Sequence, residues 1–313
     1  MIFSRLKIGS GFVGLGGAFL TKDDFKIELE FEIPSNDLEL SMLLLNGYEF
    51  DAIIDWGDGS SEYINQIGSN NSIGHTYIIF GIKRVSIRGK WEALKFGYND
   101  NKIRKVISFG YPNVSKLKYI NFTESALNEL PPNNPNSSFK YIDDASESFG
   151  YYDKGFASTK ITSIPADLFK GCTLLTDIKQ CFQDCSELIS VDSTAFKGLS
   201  NITNMFAIFS SSGILTIPQD LFKYYNNLEN VDSMFNNCRN LTTISSTLFS
   251  NNTNINNFHQ IFRFCDNLNG DVPEFWNSIF WPNVSNHEEC FTECEPGGIS
   301  NITNWSSIPS DWI

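Results

Sequence analysis

Seven cysteines and three histidines are the residues of this chain that could build a metal centre or arm a nucleophile. The densest group is His287-Glu-Glu-Cys290-Phe-Thr-Glu-Cys294, which offers half of a tetrahedral zinc site. No second pair at ligand spacing follows it, and its cysteine spacing recurs in Cys181-Phe-Gln-Asp-Cys185, so the pattern reads as a repeated packing position. Cys172, Cys185, Cys238, Cys265 and Cys294 each stand three residues after a phenylalanine. The equivalent position elsewhere holds Leu199, Ser212, Tyr225 or Asn252, a tolerance that no ligand or nucleophile would allow. These cysteines are expected to be small buried hydrophobes, and an odd total excludes a framework in which every one is paired.

Asp55-Trp-Gly-Asp58-Gly-Ser60 offers oxygen ligands, yet an EF-hand count from Asp55 puts Gly57 and Gly59 at positions three and five, where oxygens belong. A turn held by the Asp58 side chain is the expectation. No Gly-x-Ser-x-Gly occurs, and His75, His259 and His287 fall in a turn motif, a repeat position and an insertion. His259 is expected to face solvent or cap a turn. Gly14-Leu-Gly-Gly-Ala-Phe19 has neither the spacing nor the lysine of a nucleotide loop. The acid pairs Asp143/Asp144 and Glu288/Glu289 are adjacent in sequence, with nothing to set one apart as a general acid. No catalytic residue, metal or cofactor is therefore assigned, and the chain is not expected to be an enzyme.

The elements that carry these residues fall into three parts. Residues 1–24 hold Arg5 and Lys7 ahead of an apolar stretch broken by five glycines, which reads as a weak secretory signal or a docking segment. Residues 25–110 read as β structure, with alternation in Phe25–Ile33, an apolar run Phe50–Trp56 and a third strand over Lys83–Gly89. Here Trp56-Gly-Asp-Gly-Ser60 followed by His75-x-Tyr77 and Gly81 resembles the PKD-type Ig-like domain, although Asp51-Ala-Ile-Ile-Asp-Trp56 replaces that family's usual Trp-Asp-Phe order. The resemblance implies a β-sandwich that serves as a spacer or binding module.

Residues 111–313 repeat. Anchors at Phe169, Phe182, Phe196, Phe209, Phe222, Phe235, Phe249, Phe262 and Trp276 follow at steps of 13 or 14 residues, and six residues after the phenylalanines stand Leu175, Leu188, Ile202, Leu215, Leu228, Leu241, Ile255 and Leu268. Ser-Ile-Pro-Ala-Asp-Leu-Phe169 and its kin alternate with Met-Phe-Asn-Asn-Cys238 and its kin, so the unit is about 27 residues, within the leucine-rich-repeat range. Met234-Phe-Asn-Asn-Cys-Arg-Asn-Leu241 resembles the BspA-like leucine-rich repeats of surface proteins. The expected fold class is thus α+β: a PKD/Ig-like β-sandwich followed by a leucine-rich-repeat solenoid of about 27-residue coils. The resemblance implies an exported adhesion or binding protein.

A net charge of −13 repels phosphate backbones and makes nucleic acid an unsuitable partner. No apolar run approaches the ~18 residues of a transmembrane helix. Asn-x-Ser/Thr triplets at Asn113, Asn201, Asn251, Asn283 and Asn301 would accept glycans only on a eukaryotic secretory route. Insertions of a repeat array form loops on one face, so Tyr151, Tyr152, Asp153, Trp281 and Glu288 are the expected binding residues, as exposed aromatics and acids. The expectation is a non-catalytic extracellular or cell-surface protein that binds a host or receptor protein or a glycan. The alternative is a phage tail or fibre component, part of a larger assembly located in the virion.

Overall fold

The computed structural model describes residues 26–96, 100–110, 117–131, 155–173, 175–295 and 301–313. In the N-terminal half, strands β1 (Ile27–Ile33), β3 (Glu49–Asp55), β4 (Ser61–Ile67), β6 (Gly81–Trp91) and β8 (Ile103–Phe109) form one sheet in the order β4-β3-β6-β1-β8. Strands β2 (Glu39–Leu44) and β5 (Asn71–Thr76) pair antiparallel in a second sheet. Alternation decides the faces. Ile27, Leu29, Phe31 and Ile33 of β1 join Phe50, Ala52 and Ile54 of β3, Val85 and Ile87 of β6, and Leu40, Met42 and Leu44 of β2 in one core. On the outer face acids and bases alternate strand by strand: Glu30 of β1 meets Arg84 of β6, Glu32 meets Arg104 of β8, and Glu49 of β3 meets Lys90 of β6.

The repeat half is built from rungs that stack. Phe96, Phe122, Phe156, Phe182, Phe209, Phe235, Phe262 and Phe291 form one column, with centroid spacings from 5.4 to 6.1 Å between successive rings. A second set of rings runs beside it, Phe169 stacked on Phe196 and Phe222 on Phe249, with Phe275 tilted against Phe249, and it is edge-on to the first column at Phe182–Phe196 and Phe196–Phe209. The first column begins inside the β domain, at Phe96, which follows β7 (Ala93–Lys95). That strand pairs parallel with β9 (Tyr119–Asn121), and Phe96 also packs on Phe31.

Backbone hydrogen bonds dictate the stacking. In each regular rung the N–H groups two residues before the phenylalanine, at it, and two residues after it donate to the next rung: Gln180, Phe182 and Asp184 to Phe206, Ile208 and Ser210, at 2.8, 3.0 and 2.8 Å. The same trio recurs at Ala207/Phe209/Ser211, Ser233/Phe235/Asn237 and Gln260/Phe262/Phe264. The flanking residues hold left-handed backbone, with φ from 51 to 59° over these four rungs. Left-handed backbone at the first and third donor of each trio turns the chain on either side of the phenylalanine, and all three N–H groups meet the next rung. Each left-handed non-glycine residue costs about 1–2 kcal/mol, which the ladder bonds and ring packing must offset.

This arrangement corrects the expected α+β fold class. The described residues contain no α-helix; their helical turns are three-residue 3-10 turns at Trp305–Ser307 and Ser310–Trp312. The repeat half contributes parallel pairs of two residues, β10 (Ser163–Ile164) with β11 (Ser190–Val191) and β12 (Asn269–Gly270) with β13 (Asn301–Ile302), plus isolated bridges such as Asn204↔Asn230. The protein is mostly β, with several small sheets, and the leucine-rich-repeat solenoid is withdrawn. Part of the physical reason lies in the tight turns: left-handed residues two before and two after Phe182, Phe209, Phe235, Phe262 and Phe291 interrupt any helix through those described segments. Two anchor positions also change. Phe275 rather than Trp276 fills the second column, and Ile214 rather than Leu215 is the buried aliphatic of its rung, Leu215 being 43% exposed. At Gly213 a Cβ would lie 2.3 Å from the Ser186 carbonyl oxygen, so the shortened rung closes only with glycine.

The halves meet at Glu92, which is buried and accepts the Glu49 N–H at 3.0 Å while pairing with Lys90 and Lys118 at 3.1 and 3.0 Å. Burial alone would raise its carboxyl, but the Glu49 N–H and the two lysines outweigh burial and hold it below the ordinary glutamate value. Since the folded value is the lower one, this carboxylate stabilises fully above the unfolded value of about 4.3 and loses its effect as pH falls through the folded value. Glu92→Gln is expected to cost about 1–3 kcal/mol at neutral pH. It should also flatten the loss of stability below about pH 4 in urea melts; an unchanged acid limb would mean that Glu92 is not the group responsible.

Candidate binding cleft

The second column ends at an insertion, and a cleft of about 450 Å³ opens there. Ser246, Thr247 and Ser250 line one side, from the last regular turn of that column, while Asp271, Val272 and Glu274 follow from the next rung. Phe280 and Trp281 of the insertion and Asn304 of the final rung complete it. Local hydrogen bonds fix this geometry. The Asn277 carbonyl accepts the N–H groups of Phe280 and Trp281 at 3.0 and 3.2 Å, and the Asn277 side chain accepts that of Ile279 at 3.1 Å. The Asn304 amide bonds both the N–H and the carbonyl of Val272 at 3.0 Å, acting as a strand partner. The Thr303 hydroxyl donates to one oxygen of Asp271.

Trp281 stands edge-on to Phe258, Phe275 and Phe280 at 6.0, 5.5 and 5.9 Å. It is only 7% exposed, which corrects its expected place as an exposed aromatic: the rings of the column's end bury it. Its indole N–H nevertheless meets no acceptor. Beside it Ile279 and Phe280 project, 83% and 56% exposed. No lysine or arginine lines the cleft, and among the described residues neither Asp271 nor Glu274 has an ion-pair partner. A second concavity, of about 540 Å³, contains Lys105, Glu129 and Glu187. There Lys105 pairs with Glu129 and Lys160 with Glu187, so the acids are already compensated.

Of the binding residues expected from sequence, Trp281 alone lines the cleft. Glu288 is exposed on the first-column ladder, where its carbonyl accepts the Gln260 N–H at 3.1 Å. Tyr151, Tyr152 and Asp153 lie outside the described residues. Asp271, Glu274, Ile279 and Phe280 were missed. Their signal was the two-acid, four-aromatic composition of Asp271–Trp281, exactly where the cadence of anchors breaks.

His75, Asp58 and Ser60 do come together, with His75 Nε2 2.7 Å from Asp58 and 3.5 Å from the Ser60 hydroxyl. Both partners sit on the same ring nitrogen, and the serine hydroxyl bonds to Asp58 at 2.5 Å, so this is not a base flanked by acid and nucleophile. It is a clasp. Ser60 first, and then His75, holds the Asp58 carboxyl well below the usual range, His75 stacks on Trp56 at 5.0 Å, and the Tyr77 hydroxyl bonds the Trp56 carbonyl at 2.9 Å. His259 bonds Asp232 at 3.3 Å, and His287 bonds Asp311 at 2.9 Å and stacks on Trp312, leaving Cys290 and Cys294 without it. Among the described residues no group of three or more His, Cys, Asp or Glu is placed to hold a metal. No family model and no curated protein matches the chain.

The cysteines are buried. After the first-column phenylalanines from Phe122 onward the third residue is Ser125, Thr159, Cys185, Ser212, Cys238, Cys265 or Cys294, always a small hydrogen-bond donor. The thiols of Cys185, Cys238, Cys265 and Cys294 donate to the phenylalanine carbonyl of the preceding rung at 3.0–3.1 Å. Burial pushes the Cys238 thiol up to about 12, which removes the thiolate needed for reactivity or metal binding. Cys238→Ser keeps the donor and should cost less than about 1 kcal/mol, whereas Cys238→Ala loses both donor and volume and should cost about 1–2 kcal/mol. Urea midpoints of the two variants check the order; equal losses would show that volume alone matters.

Proposed function

We propose that this chain is a non-catalytic, surface-exposed binding protein that recognises a partner protein or glycan through the repeat half, with the cleft at its insertion as the point of contact. One observation carries the reading: the cleft sets two exposed acids that have no ion-pair partner among the described residues beside the projecting side chains of Ile279 and Phe280. Unmet polar groups beside projecting apolar side chains are what an interface core and rim require. The β-sandwich then acts as the module that carries the rungs, as the resemblance to PKD-type domains implies. Among the described residues no helix is long and apolar enough to cross a membrane.

The test is attachment of the purified full chain to intact cells and to arrays of glycans and extracellular proteins. The double variant Glu274→Gln/Phe280→Ser, in which both side chains are exposed, should lose roughly tenfold in affinity, about 1.4 kcal/mol, with an unchanged melting profile. Equal attachment by the variant would place the contact elsewhere. Turnover of an arrayed glycan would overturn the non-catalytic reading.

A further inference from the structure

Resting on that reading, we infer that the occupant of the cleft is an arginine side chain of a partner protein, with a neighbouring apolar residue of that partner seated on Ile279 and Phe280. The cleft has more acceptors than donors. Asp271 has one oxygen committed to Thr303 and one open, and the Glu274 carboxylate bonds no other described group. A neutral polyol could donate to the acids, but it would screen two carboxylates from water without compensating their charge. A cation compensates both. The aromatic wall of Phe280 and Trp281 favours a planar, weakly hydrated guanidinium over the compact ammonium of lysine, because it stacks on ring faces and bonds carboxylates through two parallel N–H groups.

The remaining features fit a peptide chain on either side of that guanidinium. The Trp281 ring forms part of the cleft wall with its N–H enclosed, so its indole signal senses an occupant without being bonded by it. Ile279 and Phe280 project beside the opening and offer an apolar anchor to the residue next in sequence. The net charge of −13 draws a basic segment towards this surface and disfavours acidic ones.

The full chain, with ¹⁵N in its six tryptophans, reports the site through the Trp281 indole signal, assigned by its disappearance in Trp281→Phe. The probes are acetyl-Leu-Arg-Leu-amide, its citrulline counterpart, which keeps the shape without the charge, and methyl glucoside with cellobiose. The arginine peptide should shift the Trp281 signal and bind roughly tenfold more tightly than the citrulline peptide. That advantage should vanish in Asp271→Asn/Glu274→Gln and weaken with rising salt. Equal binding of the citrulline peptide, or no shift with the arginine peptide up to ~10 mM, overturns the inference. A Trp281 shift produced by the sugars alone overturns arginine and leaves the binding reading intact. Failure of every probe, together with no attachment of the full chain to cells or arrays, sinks both.

Discussion

In each regular rung three backbone N–H groups point along the stack axis, and only the carbonyls of the next rung can meet them. That demand goes with the left-handed residues on either side of Phe182, Phe209, Phe235 and Phe262, which turn the chain so that the donors face the next rung. It also places the rings one above another, with interplanar angles of 1 to 21° down the first column. The cysteine, serine or threonine that follows is a consequence too. The phenylalanine carbonyl, left over by the ladder, takes a bond from a small donor in the rung above.

A ladder of this kind needs an end that does not continue it. At one end β7 and β8 serve both the sandwich and the stack: Ala93–Lys95 pairs with the first rung, Lys105 of β8 bridges to Glu129, and β8 is also the last strand of the five-stranded sheet. At the other end the Trp312 carbonyl takes the Phe291 N–H, and the Trp312 ring covers His287. The cleft sits where the second column stops before the first does. Rings that would have been covered by another rung are instead closed by Trp281, and the tip that delivers Trp281 carries Ile279 and Phe280 into solvent.

The periodic part of this architecture was legible because ring packing imposes a strict count. Anchors from Phe169 to Phe262 and the β domain's alternating strands follow from spacing alone. The absence of helix was not, because a 27-residue apolar cadence suits a helix-bearing coil as well as a turn-only rung. What decides between them is the left-handed backbone at Gln180, Ser233 or Asn237, and no side chain there announces it as a glycine would. Phe156 stands 13 residues before Phe169 with Thr159 behind it, in step with the count, whereas Phe96 and Phe122 are out of step and spacing does not reveal them. The cleft depended on a break in the cadence, whose place is readable while its shape is not.

Hydrogen bonds parallel to a stack axis have a mechanical meaning. A load applied between the two ends of the array pulls those bonds in line and opens them one interface at a time, as a zipper rather than as a sheared sheet. Each opened rung frees about 27 residues, roughly 90 Å of extended chain, while the rungs behind it keep their own rings and ladders. Under tension such an array would lengthen in steps, each opened rung giving up its length while those behind it hold.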